Sequence, residues 1–154
     1  MSLKSKFIII LSLSTLLTIG FKKIVEYQDY NPTVIIETNK FQNKEDKELF
    51  KGDKLSAKFK SDYNNLGIIS VLFNTHGRIN DDYLLFSIKE VGSDKWYYSN
   101  KYKVDQFQDY QYFPFGFPEL SNSKGKTYQI EIESLNGTEG NSVQVVVKNK
   151  SFFK

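Results

Sequence analysis

Trp96, Tyr97, Tyr98 and Tyr102 lie within seven residues, and Tyr110 and Tyr112 follow one short loop later. Rings at this density could stack on the apolar faces of pyranose sugars. Amide, guanidinium or carboxylate groups nearby would then take the sugar hydroxyls. Arg78, Asn80, Asp105 and Asp109 are of the right types. On a β-strand, Trp96 and Tyr98 share one face and Tyr97 takes the other. One face must join a core, so either the Trp96/Tyr98 pair or Tyr97 is exposed, not all three. The candidate binding face is therefore Trp96, Tyr98, Tyr102, Tyr110 and Tyr112, with Arg78 and Asn80 as polar partners. The plainer reading of the same rings is that they are good strand formers on a half-buried sheet.

Other chemistry has less support. The runs 80–82 (NDD) and 105–109 (DQFQD) offer oxygen ligands of the kind calcium takes, but neither has the spacing of an EF-hand loop. They read as solvated turn acids, and no metal site or cofactor is expected. The only histidine, His76, lies in a turn (NTHGR). A general base needs a partner and a pocket, and nothing in the sequence marks either. With no G-x-S-x-G and no flagged carboxylate pair, no catalytic residue is assigned and an enzyme is not expected. Asn136-Gly137-Thr138 and Asn149-Lys150-Ser151 match the N-glycosylation pattern.

The elements that must position these groups fall in three parts. Residues 1–23 hold a basic start and an uncharged run, 7–21, of 15 residues. At 1.5 Å per residue this helix would cover about 22 Å, short of a ~30 Å hydrocarbon core; lysine snorkelling and local thinning can close the gap. A cleaved signal peptide and an uncleaved signal-anchor both fit. The anchor is favoured, because Thr18-Ile19-Gly20 is a poor cleavage site and Lys22 and Lys23 follow at once. Either way the body lies outside the cytoplasm, membrane-anchored or, after cleavage, secreted. Residues 24–48 read as a polar stalk, with a short strand possible in TVIIET.

Charge supports this division. Four of the 21 basic residues, Lys4, Lys6, Lys22 and Lys23, flank the apolar run, leaving 17 against 18 acids. The body is close to neutral, so nucleic acid is not an expected partner. The absence of cysteine excludes disulfides and thiolate metal sites.

Residues 49–154 read as β throughout. KLSAKFKS alternates through Leu55, Ala57 and Phe59, and DYLLFSIKEV through Leu84, Phe86 and Ile88. GIISVLF is continuously apolar, as in a strand covered on both faces. KTYQIEIES alternates through Tyr128, Ile130 and Ile132, and NSVQVVVKN through Val143, Val145 and Val147. In YQYFPFGF the rings of Phe113, Phe115 and Phe117 share one face, while Pro114, Gly116 and Pro118 take the other. Proline offers the ladder no N–H, so this strand belongs at an edge or bend. Seven or eight short strands with turn formers between them predict an all-β fold, an antiparallel β-sandwich of jelly-roll type, behind one N-terminal membrane helix.

LGIISVLFNT, then GRIND, then YLLFSIKE, then FPFGFPELSNSKGKTYQIEIES and a valine-rich end make up a pattern over about 49–147. It resembles the jelly-roll domain, related in shape to carbohydrate-binding modules, that bacterial envelope and polysaccharide-related membrane proteins carry outside the membrane. Arg78, Asn80, Ser123, Gly125, Lys126 and Tyr128 are its best marks here. The resemblance implies a binding module that contacts envelope glycans or a glycan-handling membrane protein. A structural or protein-interaction domain is the alternative. The chain differs from the larger carriers in having one membrane segment and no catalytic domain, which speaks against an enzyme.

Overall fold

The computed structural model describes residues 33–35, 41–42 and 48–146, and the apolar run 7–21 lies outside them. Among the described residues no helix is long and apolar enough to cross a membrane.

Period-two sequence becomes one-sided burial. In β3 (Lys54–Lys60), Leu55, Ala57 and Phe59 are buried while Lys54, Lys58 and Lys60 face water. β5 (Tyr83–Glu90) buries Leu84, Phe86 and Ile88, and β8 (Thr127–Ser134) buries Tyr128, Ile130, Ile132 and Ser134. β4 (Leu66–Asn74), the continuously apolar strand, is covered on both faces for most of its length. Two sheets result. One runs in the order β2 (Phe41–Gln42), β3, β8, β5, β6 (Tyr98–Lys103). In the other, β4 pairs with β7 (Gln111–Leu120) along one edge. Its second edge is shared by β1 (Thr33–Ile35), parallel to it at Ile68–Ser70, and β9 (Gln144–Val145), antiparallel at Phe73 and Asn74. The two sheets form a β-sandwich.

The segment read as a stalk thus supplies two strands, β1 and β2, one to each sheet. The aromatic strand starts later than its alternation suggested, at Tyr98. Of the closing run only Gln144 and Val145 pair as a strand, and Val147 lies outside the described residues.

β7 is an edge strand, as its prolines demand. The Tyr102 hydroxyl donates to the Gly116 carbonyl at 2.7 Å, from the side away from β4. Groups two residues apart point the same way, so the missing N–H of Pro114 falls on the free edge and costs no ladder bond. Near Pro118 the register breaks: Leu66 pairs with Leu120 and Ile68 with Gly116, so three residues of β7 oppose Gly67 alone. Such a bulge bends the strand. The phenylalanines point inward. Phe115 stacks on Phe86 of the opposite sheet at 4.6 Å, and Phe113 on Phe107 at 3.9 Å.

The antiparallel order collects the loops at two ends. The near end, where β1 begins opposite Ile68, carries loops 61–65, 91–97 and 121–126. The far end carries 48–53, 75–82, 104–110 and 135–143.

Candidate functional site

The far end holds most of the polar side chains that the two sheets do not use. Its centre is the loop after β4. Asn74 Oδ1 accepts from the His76 N–H at 2.7 Å, which closes a tight turn of the kind Asn favours. His76 sits in the left-handed region at φ 58°. Asp109 Oδ1 accepts from the Thr75 N–H at 2.8 Å and from its hydroxyl at 3.2 Å. Burial pushes the Asp109 carboxyl up, but the N–H groups of Thr75, Gly77 and His76 and the Thr75 hydroxyl outweigh it and hold it below its usual value. Three successive amides around one carboxylate form an anion nest, here filled by the chain's own side chain.

Tyr110, the next residue, is also left-handed, at φ 51°. For a bulky ring this is a strained conformation. It throws the side chain outward, 62% exposed. The Tyr110 hydroxyl is nonetheless held, accepting from Asn74 Nδ2 at 3.2 Å. A ring fastened at its backbone and its hydroxyl lies across the end of β4 and shows a face to water. Tyr112 projects outward on β7, opposite Leu72, and is exposed.

A second knot lies beside it. Glu48 Oε1 takes Arg78 Nη2 at 2.8 Å and faces His76 Nε2 at 3.3 Å, while Ser142 Oγ donates to Glu48 Oε2. Burial pushes the Glu48 carboxyl up, yet the hydrogen bonds from Ser142 and Arg78 and the charges of Arg78 and His76 bring it below its usual value. The Ser142 hydroxyl is committed to the carboxylate rather than to the imidazole, which is not the arrangement of an activated nucleophile. Among the described residues, two buried atoms here have no partner, Arg78 Nε and Asn80 Oδ1.

The expected binding face is therefore divided. Tyr110, Tyr112, Arg78 and Asn80 belong to the far end. Asn80 is only 1% exposed and donates to the Thr75 carbonyl at 3.2 Å, so it supports the loop. Tyr98 and Tyr102 turn inward and pack on Phe117 and on Phe113 and Phe115. Trp96 lies at the near end, outside the sheet, with Lys89 Nζ 5.0 Å from its ring. Trp96 and Tyr97 both precede β6 and both are exposed, so the alternation rule reaches neither of them.

The reading of 80–82 as solvated turn acids is corrected at Asp82. It is fully buried, and takes the N–H of Tyr83 at 2.6 Å, the N–H of Asn136 at 2.7 Å and the Ser134 hydroxyl at 2.8 Å. Its lone pairs join the start of β5 to the end of β8. Among the described residues no group of three or more His, Asp or Glu could hold a metal ion. Sequence reasoning passed over Asn74, Glu48 and Ser142. Asn74 carried a signal, as an Asn opening the turn NTHG; Glu48 was hidden in a charge run and Ser142 in a strand. No known protein family, curated protein or solved structure matches this chain.

Proposed function

We propose that this chain is a membrane-tethered binding module, held by residues 7–21 with its sandwich outside the cytoplasm, that contacts envelope glycans or a glycan-handling membrane protein through its far end. The strand order β3-β8-β5-β6 opposite β9-β4-β7, with β1 beside β4, supports a jelly-roll reading of the sandwich. The observation that carries the binding proposal is Tyr110, an exposed ring pinned at both ends, at the same end of the sandwich as Tyr112 and Arg78. An immobilised ring loses little entropy when a sugar stacks on it, which is what favours aromatic platforms in recognition sites. Glu48 orients Arg78, and Asp109 the loop that carries Asn74.

The alternative, a protein-interaction domain without a small ligand, is favoured by Ile79, which is 88% exposed at the tip of the same loop. One experiment separates the two. The full chain in nanodiscs is titrated calorimetrically with envelope polysaccharide fractions, beside Tyr110→Ala and Ile79→Ser. Saturable heat that weakens about tenfold, ~1.4 kcal/mol, in Tyr110→Ala supports the glycan reading. Absence of heat with every fraction overturns it and leaves the interaction reading. Trp96 emission is the wrong probe for this titration, because Trp96 lies at the other end.

A further inference from the structure

We infer that the near end is a docking face for an anionic lipid surface, so that the module stands on the membrane with its far end directed away. This rests on the membrane-tether reading. Three observations carry it.

The first is where the chain joins the body. β1 is parallel to β4 and begins opposite Ile68, so the polypeptide arrives at the near end. Residues 22–32 separate the apolar run from β1, and a chain of that length spans at most about 40 Å when fully extended. The near-end loops are therefore within reach of the headgroups.

The second is charge. Lys58, Lys60, Lys89, Lys95, Lys124 and Lys126 lie in or beside the near-end loops, with Asp62, Glu90, Asp94 and Glu119 as the acids there. Lys126 reaches Glu90 at 3.2 Å. At the far end the balance is reversed: Glu48, Asp53, Asp81, Asp82, Asp105, Asp109, Glu133 and Glu139 outnumber Lys51, Lys54, Arg78, Lys101 and Lys103. A near-neutral body is thus polarised along its length. Its basic end is the one that meets the tether, and lysines attract anionic headgroups over about a Debye length.

The third is the rings. Tyr63 is 60% exposed and Tyr97 48%, and Trp96 and Val91 are exposed with them. Trp and Tyr with lysines around them suit the headgroup layer, where the ring body meets acyl chain and the polar edge meets water. Lys89 Nζ lies 5.0 Å from the Trp96 ring, so a cation and the indole share this face.

Trp96 is the only tryptophan and is an intrinsic probe of this face. The full chain is reconstituted into vesicles of phosphatidylcholine alone or with phosphatidylglycerol, each made with and without brominated acyl chains. Docking predicts a blue shift and bromine quenching of Trp96 in the anionic vesicles, reversed by added salt. In Lys95→Gln/Lys124→Gln the docked-to-undocked ratio falls about fivefold per lysine. If the chain floats with the vesicles while Trp96 remains quenchable by iodide and untouched by bromine, the docking face is wrong and the tether stands. If the chain does not float with the vesicles, the tether reading fails and this inference falls with it.

Discussion

The near and far ends close the same sandwich by different means. At the near end the loops 61–65 and 121–126 are stitched by backbone bonds, Ser61 N–H to Lys126 O at 2.9 Å and Gly125 N–H to Ser61 O at 2.7 Å. Ser123 Oγ completes the closure, taking the Leu66 N–H at 3.2 Å and donating to the Tyr63 carbonyl at 2.8 Å. Neutral groups do the closing, and the charged side chains are left on the outside. At the far end backbone bonds such as Lys51 N–H to Gly137 O at 2.8 Å are joined by carboxylates. Asp82, Asp109, Asp53 and Glu48 each take donors from a neighbouring segment or from their own turn. Charge-assisted bonds are stronger than neutral ones and can hold longer irregular loops, including two strained residues, in one shape. The cost is sensitivity to acid. On the proposed reading, a binding surface that keeps a ring in a strained pose would gain from such bonds, and an end resting on a lipid surface would not need them.

The largest test of this contrast is steric. A Cβ at Gly137 would lie 2.3 Å from the Leu49 carbonyl oxygen and 2.5 Å from Ser134 Oγ, whereas one at Gly125 would meet open space. Gly137→Ala should cost about 3 kcal/mol or more in urea unfolding, because backbone must move and the Asp82 junction opens. Gly125→Ala, strained only by its φ of +80°, should cost about 1 kcal/mol. Equal losses at the two positions would remove the distinction.

The pH dependence comes next. Glu48 titrates below its usual 4.5 in the fold, so its contribution is complete above that value and is lost as pH falls through the lowered one. Asp109 behaves alike below its usual 3.8. Tyr128, at the near end, is raised above 10.0 by burial and then by the charges of Glu90 and Tyr97, so its contribution is complete below pH 10 and is lost as pH rises further. Urea midpoints measured across pH should show an acid limb that Glu48→Gln flattens and an alkaline limb that Tyr128→Phe flattens. A single variant flattening both limbs would show that the ends are not separate.

Two smaller effects sharpen the comparison. Tyr110→Phe removes the bond to Asn74 and should cost about 1 kcal/mol of stability while freeing the ring, read as faster ring relaxation by NMR. Lys126→Ala breaks an exposed pair with Glu90 and should change the urea midpoint by no more than about 0.5 kcal/mol, with the difference vanishing in high salt.

Much of the sandwich was legible in the sequence because a two-residue period is a local property. Leu55-Ala57-Phe59, Leu84-Phe86-Ile88 and Tyr128-Ile130-Ile132 each declare a buried face without reference to any other strand. Pro114 and Pro118 likewise declare an edge, since a missing N–H is a fact about the residue itself. Strand partners and loop ends are not local. Tyr98 and Tyr102 had the composition of a binding face, and only the approach of β7 from the other sheet made them packing residues. Asp82 looked like any turn acid until the end of β8 brought Ser134 and Asn136 to it. Tyr110 and Asn74 are separated by 36 positions, and Glu48 and Ser142 by 94, and no pattern of neighbours encodes such pairings. Alternation and proline thus determined which residues form strands and which strand lies at an edge. The crossing of the chain between two sheets decided which side chains meet at each end, because those meetings depend on strand order and register rather than on spacing along the chain.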